Sequence, residues 1–272
     1  MSRLSAGRLV ELAGELSARD RAITKTAARL RLVSGKQLES LHFAEVQRPS
    51  SRARLARRTC ARLVERGVLG RLERRIGGVR AGAAGYVYFA APAGQRLVAY
   101  WQGEGLQRPR SRYEPSQAFV RHAIAVSECY VRLVSAARDG TVELLAFETE
   151  PARTFIGPGG ARSVLRPDAF TRLALSTDGA SELHAFLEID CGSEGRQALA
   201  RKCRAYVAAW RSGIAPVFPR AVWIATTERR AELLREVCAS MPAEAWKLFL
   251  VTTPERALEI LTGNPPTSGG DS

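Results

Sequence analysis

The sequence has few of the features that mark secreted, membrane or zinc-binding proteins. Its five cysteines never form a Cys-x-x-Cys pair, and its three histidines show no ligand spacing. This pattern predicts reduced, mostly buried thiols and excludes a disulfide framework or a zinc finger. No apolar run approaches the roughly 20 residues that span a bilayer, and the first residues lack the apolar segment of a signal peptide. We therefore expect a cytoplasmic protein without a membrane partner.

Acidic residues are also scarce at the start of the chain. Residues 1–112 carry 23 Lys+Arg against 8 Asp+Glu, whereas the remaining residues carry 18 against 19. The formal net charge of +14 therefore comes entirely from the first two-fifths of the sequence. A proteome rich in arginine would explain why lysine is rare, but not why the two parts differ. A basic segment joined to a neutral one predicts a module that binds double-stranded DNA and a second part with another function.

Helix start signals mark three helices in the basic segment. Capping boxes at Ser17 and Ser34 each predict the first turn of a helix. A third helix is predicted to begin after a cap at Ser50 or Ser51 and to end at the glycine that follows it. Two strands around a glycine-rich tip come next, and then one more helix. This order of elements predicts a winged helix-turn-helix DNA-binding domain over residues 1–101.

The third helix is predicted to turn its arginines toward solvent. Leu55, Cys60, Leu63 and Val64 form the predicted inward stripe, and the arginines lie on the other side. In a winged helix the third helix enters the major groove and the hairpin follows the DNA backbone. Arginine binds both phosphates and guanine edges. The predicted DNA contacts are Arg52, Arg54, Arg57, Arg58 and Arg62 on the helix, and Arg74, Arg75 and Arg80 on the hairpin.

The rest of the sequence predicts a second domain of mixed helices and strands. Residues 102–115 are rich in Gly, Gln, Arg, Pro and Ser, which is typical of a linker. Residues 116–263 are predicted to form a helix, three strands, a helix and then alternating strands and helices. Residues 264–272 have the composition of a disordered tail. The predicted fold class is therefore a mixture of helices and strands, which is α/β in the broad sense and α+β in the narrow sense.

Three carboxylates are predicted to meet on one hairpin of the second domain. Two apolar runs flank a turn centred near Asp178, which sets Asp168 opposite Glu188 with Cβ atoms about 5 Å apart. Asp190 follows two residues after Glu188, so strand alternation puts it on the same face, while Leu187 and Ile189 take the opposite, buried face. Hard oxygen ligands of this kind suit Mg²⁺ or Mn²⁺. Ordinary acids on the solvent face of a half-exposed hairpin are the alternative interpretation.

A Pro-Asp before one strand and a Glu-Ile-Asp that ends the next resemble the motif of the PD-(D/E)xK nucleases. The order αβββαβ also matches the core of that fold, although position 190 is Asp where the motif has lysine. The resemblance implies Mg²⁺ or Mn²⁺ ions that generate hydroxide and stabilise the reacting phosphate. It implies Asp168, Glu188 and the substitute lysine Lys202 as catalytic residues, although a plain surface role for Lys202 stays open. The implied metal ligands are Asp168, Glu188, Asp190 and Glu128, of which Glu128 could equally be a helix-surface acid.

Several segments, taken in their order, resemble the replication-relaxation proteins of bacteria and mobile elements. These segments are SARDRAI, LVERGVL, GYVYFAAPAGQRLV, RHAIAVSECYV, LRPDAF, FLEID and KCRAY. The resemblance runs from about Leu16 to Leu261, which is nearly the whole chain. It implies a winged helix followed by a nuclease-like domain, and a link to plasmid replication and DNA relaxation. It does not establish that this member cuts DNA.

Two alternative functions follow, of which the first is the leading prediction. The first is DNA binding in plasmid or mobile-element replication and processing, with nicking by a metal-dependent DNA endonuclease site. The second is a non-catalytic winged-helix regulator of transcription or replication, whose degenerate nuclease fold mediates dimerisation. Asp190 in place of the motif lysine favours the second function, and Lys202 favours the first. The expected partners are DNA and either a second copy of the chain or replication and mobilisation proteins.

Overall fold

The computed structural model describes most of the chain. The described parts are residues 5–75, 85–104, 115–175 and 182–262, without the side chains of residues 73–75 and 158. Most of the predicted linker and the predicted tail lie outside these parts. So do Arg80, at the tip of the predicted hairpin, and the side chains of Arg74 and Arg75. The chain divides into two compact units, which we call the N-terminal unit (Met1–Val131) and the C-terminal unit (Arg132–Ser272).

Two helices of the N-terminal unit begin at the capping boxes that the sequence predicts. Ser17 accepts a hydrogen bond from the backbone N–H of Asp20, whose side chain accepts one from Ser17 in return. Ser34 forms the same reciprocal pair with Gln37, so both predicted capping boxes are confirmed. The helices are α1 (Ala6–Glu15), α2 (Ala18–Leu30), α3 (Gly35–His42), α4 (Pro49–Glu65) and α5 (Pro92–Trp101). The prediction from sequence lacked α1.

Helix α4 differs from its prediction at its start and on its buried face. Arg48 is the N-cap and makes no side-chain capping bond, so the predicted serine caps are wrong. Pro49 occupies the first turn instead, where its missing N–H is not needed and its fixed φ suits a helix. The buried residues are Ala56, Thr59, Cys60 and Leu63. Leu55 was predicted to face inward, but it is exposed because it lies about 100° around the helix from Ala56.

A small antiparallel sheet completes the N-terminal unit. Its strands are β1 (Val33–Ser34), β2 (Leu69–Arg75) and β3 (Tyr86–Ala90), in the order β1-β3-β2. Gly67 has a φ of 68°, a left-handed conformation that favours glycine and ends α4 before β2. The two predicted hairpin strands are thus confirmed within the described residues. The short strand β1 was not predicted from the sequence.

The boundary between the two units falls inside one long helix, α6 (Gln117–Arg138). The apolar periodicity of the sequence predicts a helix from Ser116 to about Arg138, and the structure agrees with these bounds to within one residue. Its first half packs in the N-terminal unit, where Ala123 joins Leu32 and Val87 in a hydrophobic cluster. The hydroxyl of Ser127 also donates a 2.6 Å hydrogen bond to the carbonyl oxygen of Leu32. The sequence placed the whole of this helix in the second domain.

The C-terminal unit is built on a mixed five-stranded sheet in the order β10-β9-β8-β7-β4. Strand β8 pairs antiparallel with β7 and parallel with β9. The apolar run from Val164 to Leu175 predicts one continuous strand after a glycine-rich bend near residues 157–160. The structure instead has a separate two-stranded hairpin, β5-β6, whose second strand ends at Leu165. The strands are β4 (Val142–Thr149), β5 (Arg153–Ile156), β6 (Arg162–Leu165), β7 (Ala169–Leu175), β8 (Glu182–Asp190), β9 (Arg220–Ala225) and β10 (Phe249–Thr252).

Helices α7 (Arg196–Arg211), α8 (Glu228–Ala239) and α9 (Ala257–Leu261) complete the unit. Leu199, Cys203 and Tyr206 recur at helical spacing along α7 and join Trp223 of β9 in one buried cluster. Strand β8 lies inside the sheet and is buried on both faces from residue 185 to residue 190. The alternative of a half-exposed hairpin is therefore wrong for β8, which β9 and α7 cover, whereas β7 alternates between buried and partly exposed residues.

The abundance of both helices and strands, with a mixed main sheet, confirms the predicted α+β class. All five cysteines are free, and three of them, Cys60, Cys203 and Cys238, are buried as expected. Within the described residues, no helix is long and apolar enough to cross a membrane.

Candidate functional site

The register of β7 against β8 brings two of the predicted carboxylates together. Ala169 pairs with Leu187, so the preceding Asp168 and the following Glu188 occupy opposite positions at the end of the ladder. The same register holds along the hairpin as far as Ala174 and Glu182, as the predicted pairing requires, while the predicted turn around Asp178 lies outside the described residues. The Oδ2 atom of Asp168 accepts a 2.7 Å hydrogen bond from the backbone N–H of Ile189. We call Asp168 and Glu188 the carboxylate pair.

Glu188 is deeply buried and is held by two side chains of α7. The hydroxyl of Tyr206 donates a 2.7 Å hydrogen bond to Glu188 Oε1. The ammonium of Lys202 lies 3.4 Å from Glu188 Oε2. Tyr206 follows Lys202 by one helical turn, so both side chains can reach the same carboxylate. Lys202, predicted as the substitute lysine, thus lies at the carboxylate pair.

Lys202 contacts a second acid that the sequence did not single out. Its Nζ lies 3.1 Å from Oε2 of Glu194, which precedes α7. The same ammonium also lies 5.9 Å from the ring centre of Trp223, within reach of a cation–π attraction. The Lys202 side chain is 39% exposed, whereas that of Glu188 is 3% exposed. The lysine therefore connects a buried acid to the protein surface.

The pKa values at this site follow from burial and neighbouring charge. Burial raises the pKa of Glu188 to about 7, and the charge of Asp168 acts in the same direction. Burial acts to lower the pKa of Lys202, but the surrounding carboxylates outweigh it and raise that pKa to about 12. At neutral pH Lys202 is therefore a cation, while burial shifts Glu188 toward its protonated form.

Asp190, the third predicted acid of the hairpin, is joined to a different partner. Both of its carboxylate oxygens bind the guanidinium of Arg230 in α8, and Oδ1 also accepts a hydrogen bond from the backbone N–H of Gly192. The Asp190 side chain is 3% exposed and that of Arg230 is 15% exposed. A buried carboxylate is stable when it is paired in this way. Asp190 thus fastens the end of β8 to α8.

Glu128, the fourth predicted metal ligand, belongs to the N-terminal unit. Its Oε2 atom accepts a 3.0 Å hydrogen bond from the side-chain amide of Gln37. The same amide nitrogen donates to the carbonyl oxygen of Ile124, so Gln37 links α3 to α6. Through these contacts Glu128 helps to hold α3 against α6 within that unit.

The carboxylate pair could hold a divalent cation with two ligands. Among the residues that the structure describes, no group of three or more His, Cys, Asp and Glu side chains is arranged to hold a metal ion. Mg²⁺ in proteins is often bound by one or two carboxylates and keeps several waters. The donor set of the carboxylate pair fits such an ion, with hard oxygens just before β7 and on the adjacent strand β8.

The arginines of α4 fall into two groups. Arg62 binds the buried Asp20 at 2.7 Å, and Arg52 binds the buried Glu39 at 3.3 Å. These two pairs tie α4 to α2 and α3. The other three arginines are exposed and form no ion pair with any described residue: Arg54, Arg57 and Arg58.

Reasoning from sequence missed two residues at the site, Glu194 and Arg230. Glu194 lies in a loop just before α7, where no periodic pattern aligns it with Lys202. Arg230 lies 40 residues beyond Asp190 in the sequence, and only the parallel strand β9 brings α8 back to the end of β8. No local signal could have identified either residue.

Residues 25–219 match the family model described as replication-relaxation. The chain belongs to the replication-relaxation family. No curated protein and no solved structure matches the chain. The match covers α3, α4 and the small sheet as well as the carboxylate pair and Lys202. Membership of the replication-relaxation family supports a role in the replication of plasmids or other mobile elements.

Proposed function

We propose that this replication-relaxation protein binds double-stranded DNA through its N-terminal unit and nicks it through the carboxylate pair of its C-terminal unit. The observation that carries the nicking proposal is the contact of the Lys202 ammonium with Glu188, opposite Asp168. Two acids and a lysine are the residue types that the resemblance to the PD-(D/E)xK nucleases implies for metal-dependent cleavage of DNA. The proposed fold of the N-terminal unit is a winged helix, and that of the C-terminal unit is PD-(D/E)xK-like.

The DNA-binding proposal rests on the order of elements and on the exposed charge of α4. Helices α2, α3 and α4 are followed by the strands β2 and β3, which is the order of a winged helix. Arg54, Arg57 and Arg58 are free of acidic partners among the described residues and project from α4 into solvent. Such a helix face suits the phosphates and base edges of a major groove.

At the proposed nicking site, Asp168 and Glu188 would hold a Mg²⁺ or Mn²⁺ ion. The ion would supply a bound hydroxide and positive charge for the developing phosphorane. Lys202 places a second positive charge next to the pair and can orient a phosphate oxygen. Tyr206 fixes one oxygen of Glu188, which leaves Oε2 on the side of Lys202.

A non-catalytic regulator is the second candidate function. The observation in its favour is the capture of Asp190 by Arg230, which leaves the carboxylate pair without the third acid. In that case the C-terminal unit would serve to pair two copies of the chain on DNA. Its remaining acids would then be structural.

Nicking of supercoiled plasmid in the presence of Mn²⁺ separates the two functions. The proposal expects conversion of supercoiled to open circular DNA by the wild type. It expects loss of that conversion in Asp168→Asn and in Lys202→Ala. Lys247→Ala is the matched control, because Lys247 is an exposed lysine elsewhere in the C-terminal unit.

An inactive wild type that still binds DNA would leave the regulator as the function. Equal nicking by Asp168→Asn and the wild type would remove the carboxylate pair from the mechanism.

A further inference from the structure

Lys202 lies between two carboxylates, one of which is buried and the other partly exposed to solvent. Its Nζ is 3.4 Å from Oε2 of the buried Glu188 and 3.1 Å from Oε2 of Glu194, whose side chain is 36% exposed. The shorter contact is therefore with the acid outside the carboxylate pair. One ammonium shared by two acids can shift toward either of them without losing an ionic partner.

The loop that carries Glu194 is fastened in place. Arg230 donates a hydrogen bond to the carbonyl oxygen of Glu194 and also binds the carboxylate of Asp190. Gly192, in the same loop, has a φ of 80° and donates its backbone N–H to Asp190. Asp190 and Arg230 therefore fix the backbone of Glu194 next to the start of α7.

From this geometry we propose that Glu194 is a positioning residue, which draws the Lys202 ammonium away from Glu188 when a divalent cation binds the carboxylate pair. The inference rests on the proposed function, because it assumes that Asp168 and Glu188 hold the ion. A cation at the pair and an ammonium on Glu188 repel each other, so binding of the ion costs less if Lys202 has another acid to approach. Glu194 supplies that acid and keeps the lysine at the edge of the site.

Isothermal titration of the full-length chain with Mn²⁺ tests this role without measuring activity. Glu194→Gln keeps the shape of the side chain and its backbone bond to Arg230, but removes the charge. We expect this variant to bind Mn²⁺ about tenfold more weakly, as is common when a partner outside the ligand set is lost. Glu236→Gln is the matched control, because it removes an exposed glutamate of α8 that pairs with Arg196. It should bind Mn²⁺ like the wild type.

A double-mutant cycle with Lys202→Met shows whether Glu194 acts through the lysine. Lys202→Met removes the competing ammonium and should bind Mn²⁺ at least as tightly as the wild type. If Glu194 acts only by holding Lys202, adding Glu194→Gln to that background should change the affinity by less than about twofold. The expected loss appears in the wild-type background alone.

Three results would overturn the inference. Equal affinities of Glu194→Gln and the wild type would show that Glu194 has no part in cation binding. The same tenfold loss in the Lys202→Met background would show that Glu194 acts on the ion directly. Absence of Mn²⁺ binding by the wild type would overturn both this inference and the proposed metal-dependent function. The first two results would leave the proposed function standing.

Discussion

The hydroxyl of Tyr206 donates a 2.7 Å hydrogen bond to Oε1 of Glu188, and both side chains are almost completely buried. Burial raises the pKa of Tyr206 well above its ordinary value, so the hydroxyl keeps its proton and stays a donor. A buried acid that accepts from a permanent donor is held in one orientation. The orientation of the Glu188 carboxylate is therefore fixed before any ion or DNA binds.

The raised pKa of Glu188 predicts a pH-dependent difference between the wild type and Glu188→Gln. The folded-state pKa is about 7 against an ordinary value of 4.5, so the folded protein holds a proton that the unfolded chain has released. The stability contributed by that proton is complete below pH 4.5 and is lost as the pH rises through about 7.

Relative to Glu188→Gln, the wild type should therefore lose on the order of 3 kcal/mol of unfolding free energy between pH 4.5 and pH 8. Denaturant unfolding of both proteins in EDTA across this range measures the difference. The glutamine is the matched variant because it mimics the protonated acid and does not titrate. Parallel pH profiles for the two proteins would contradict a raised pKa at Glu188.

The exposed arginines of α4 predict a loss of DNA affinity without a loss of stability. Replacing Arg54, Arg57 and Arg58 together with alanine should weaken duplex binding and flatten its salt dependence. Each phosphate contact removed should lower the slope of log K against log salt by about 0.9. Fluorescence anisotropy with a labelled duplex at several salt concentrations measures both effects.

The control for this experiment removes three positive charges from the C-terminal unit: Arg229, Arg235 and Arg256, all exposed. Arg235 and Arg256 form only surface ion pairs, which contribute little to stability. Unchanged affinity in the α4 variant, or an equal loss in the control, would move the DNA-binding surface away from α4.

Replacing Arg62 should lower the stability of the folded protein, because Arg62 pairs with a buried acid. It binds Oδ1 of Asp20, which is 1% exposed and also forms the capping box of α2. Arg62→Ala leaves that carboxylate oxygen without its cation, and we expect a loss of about 1–3 kcal/mol of unfolding free energy. Arg58→Ala, an exposed position on the same helix, should cost less than about 0.5 kcal/mol. Similar unfolding midpoints for the two variants would show that the Arg62–Asp20 pair is not stabilising.

A strained turn between α2 and β1 predicts an unusual preference for glycine. Arg31 has a φ of 64° and a ψ of −54°, and the backbone N–H of Leu32 bonds to the carbonyl oxygen of Leu30 at 2.7 Å. This is a γ-turn of the rare, strained kind. The guanidinium of Arg31 lies 4.9 Å from the ring centre of Phe119.

Replacement of Arg31 by alanine and by glycine separates the contact from the strain. Both variants lose the contact with Phe119, but only glycine relieves the backbone. Arg31→Gly should therefore be more stable than Arg31→Ala by about 1 kcal/mol. Thermal unfolding of the two variants measures the difference. An alanine variant that is the more stable of the two would rule out strain at this position.

The amino-acid sequence by itself determined the features that depend on near neighbours. The capping boxes at Ser17 and Ser34 join residues three apart, and the bounds of α6 follow from its own apolar periodicity. The pairing of Asp168 with Glu188 follows from the symmetry of one hairpin about its turn. Local hydrogen bonds and side-chain periodicity are set by adjacent residues, whatever the rest of the chain does.

Only the tertiary structure decided which distant groups meet. A half-exposed β8 remained an alternative from the sequence, because β9 and α7, which cover this strand, come later in the chain. The residue type and strand position of Asp190 suggest a metal ligand. In the folded chain, however, α8 brings Arg230 to the end of β8, where it forms an ion pair with Asp190. The contact of Lys202 with both Glu188 and Glu194 likewise depends on how α7 lies on the sheet. Burial and ion pairing are properties of the packed chain, because they depend on residues that are distant in the sequence and that local patterns cannot identify.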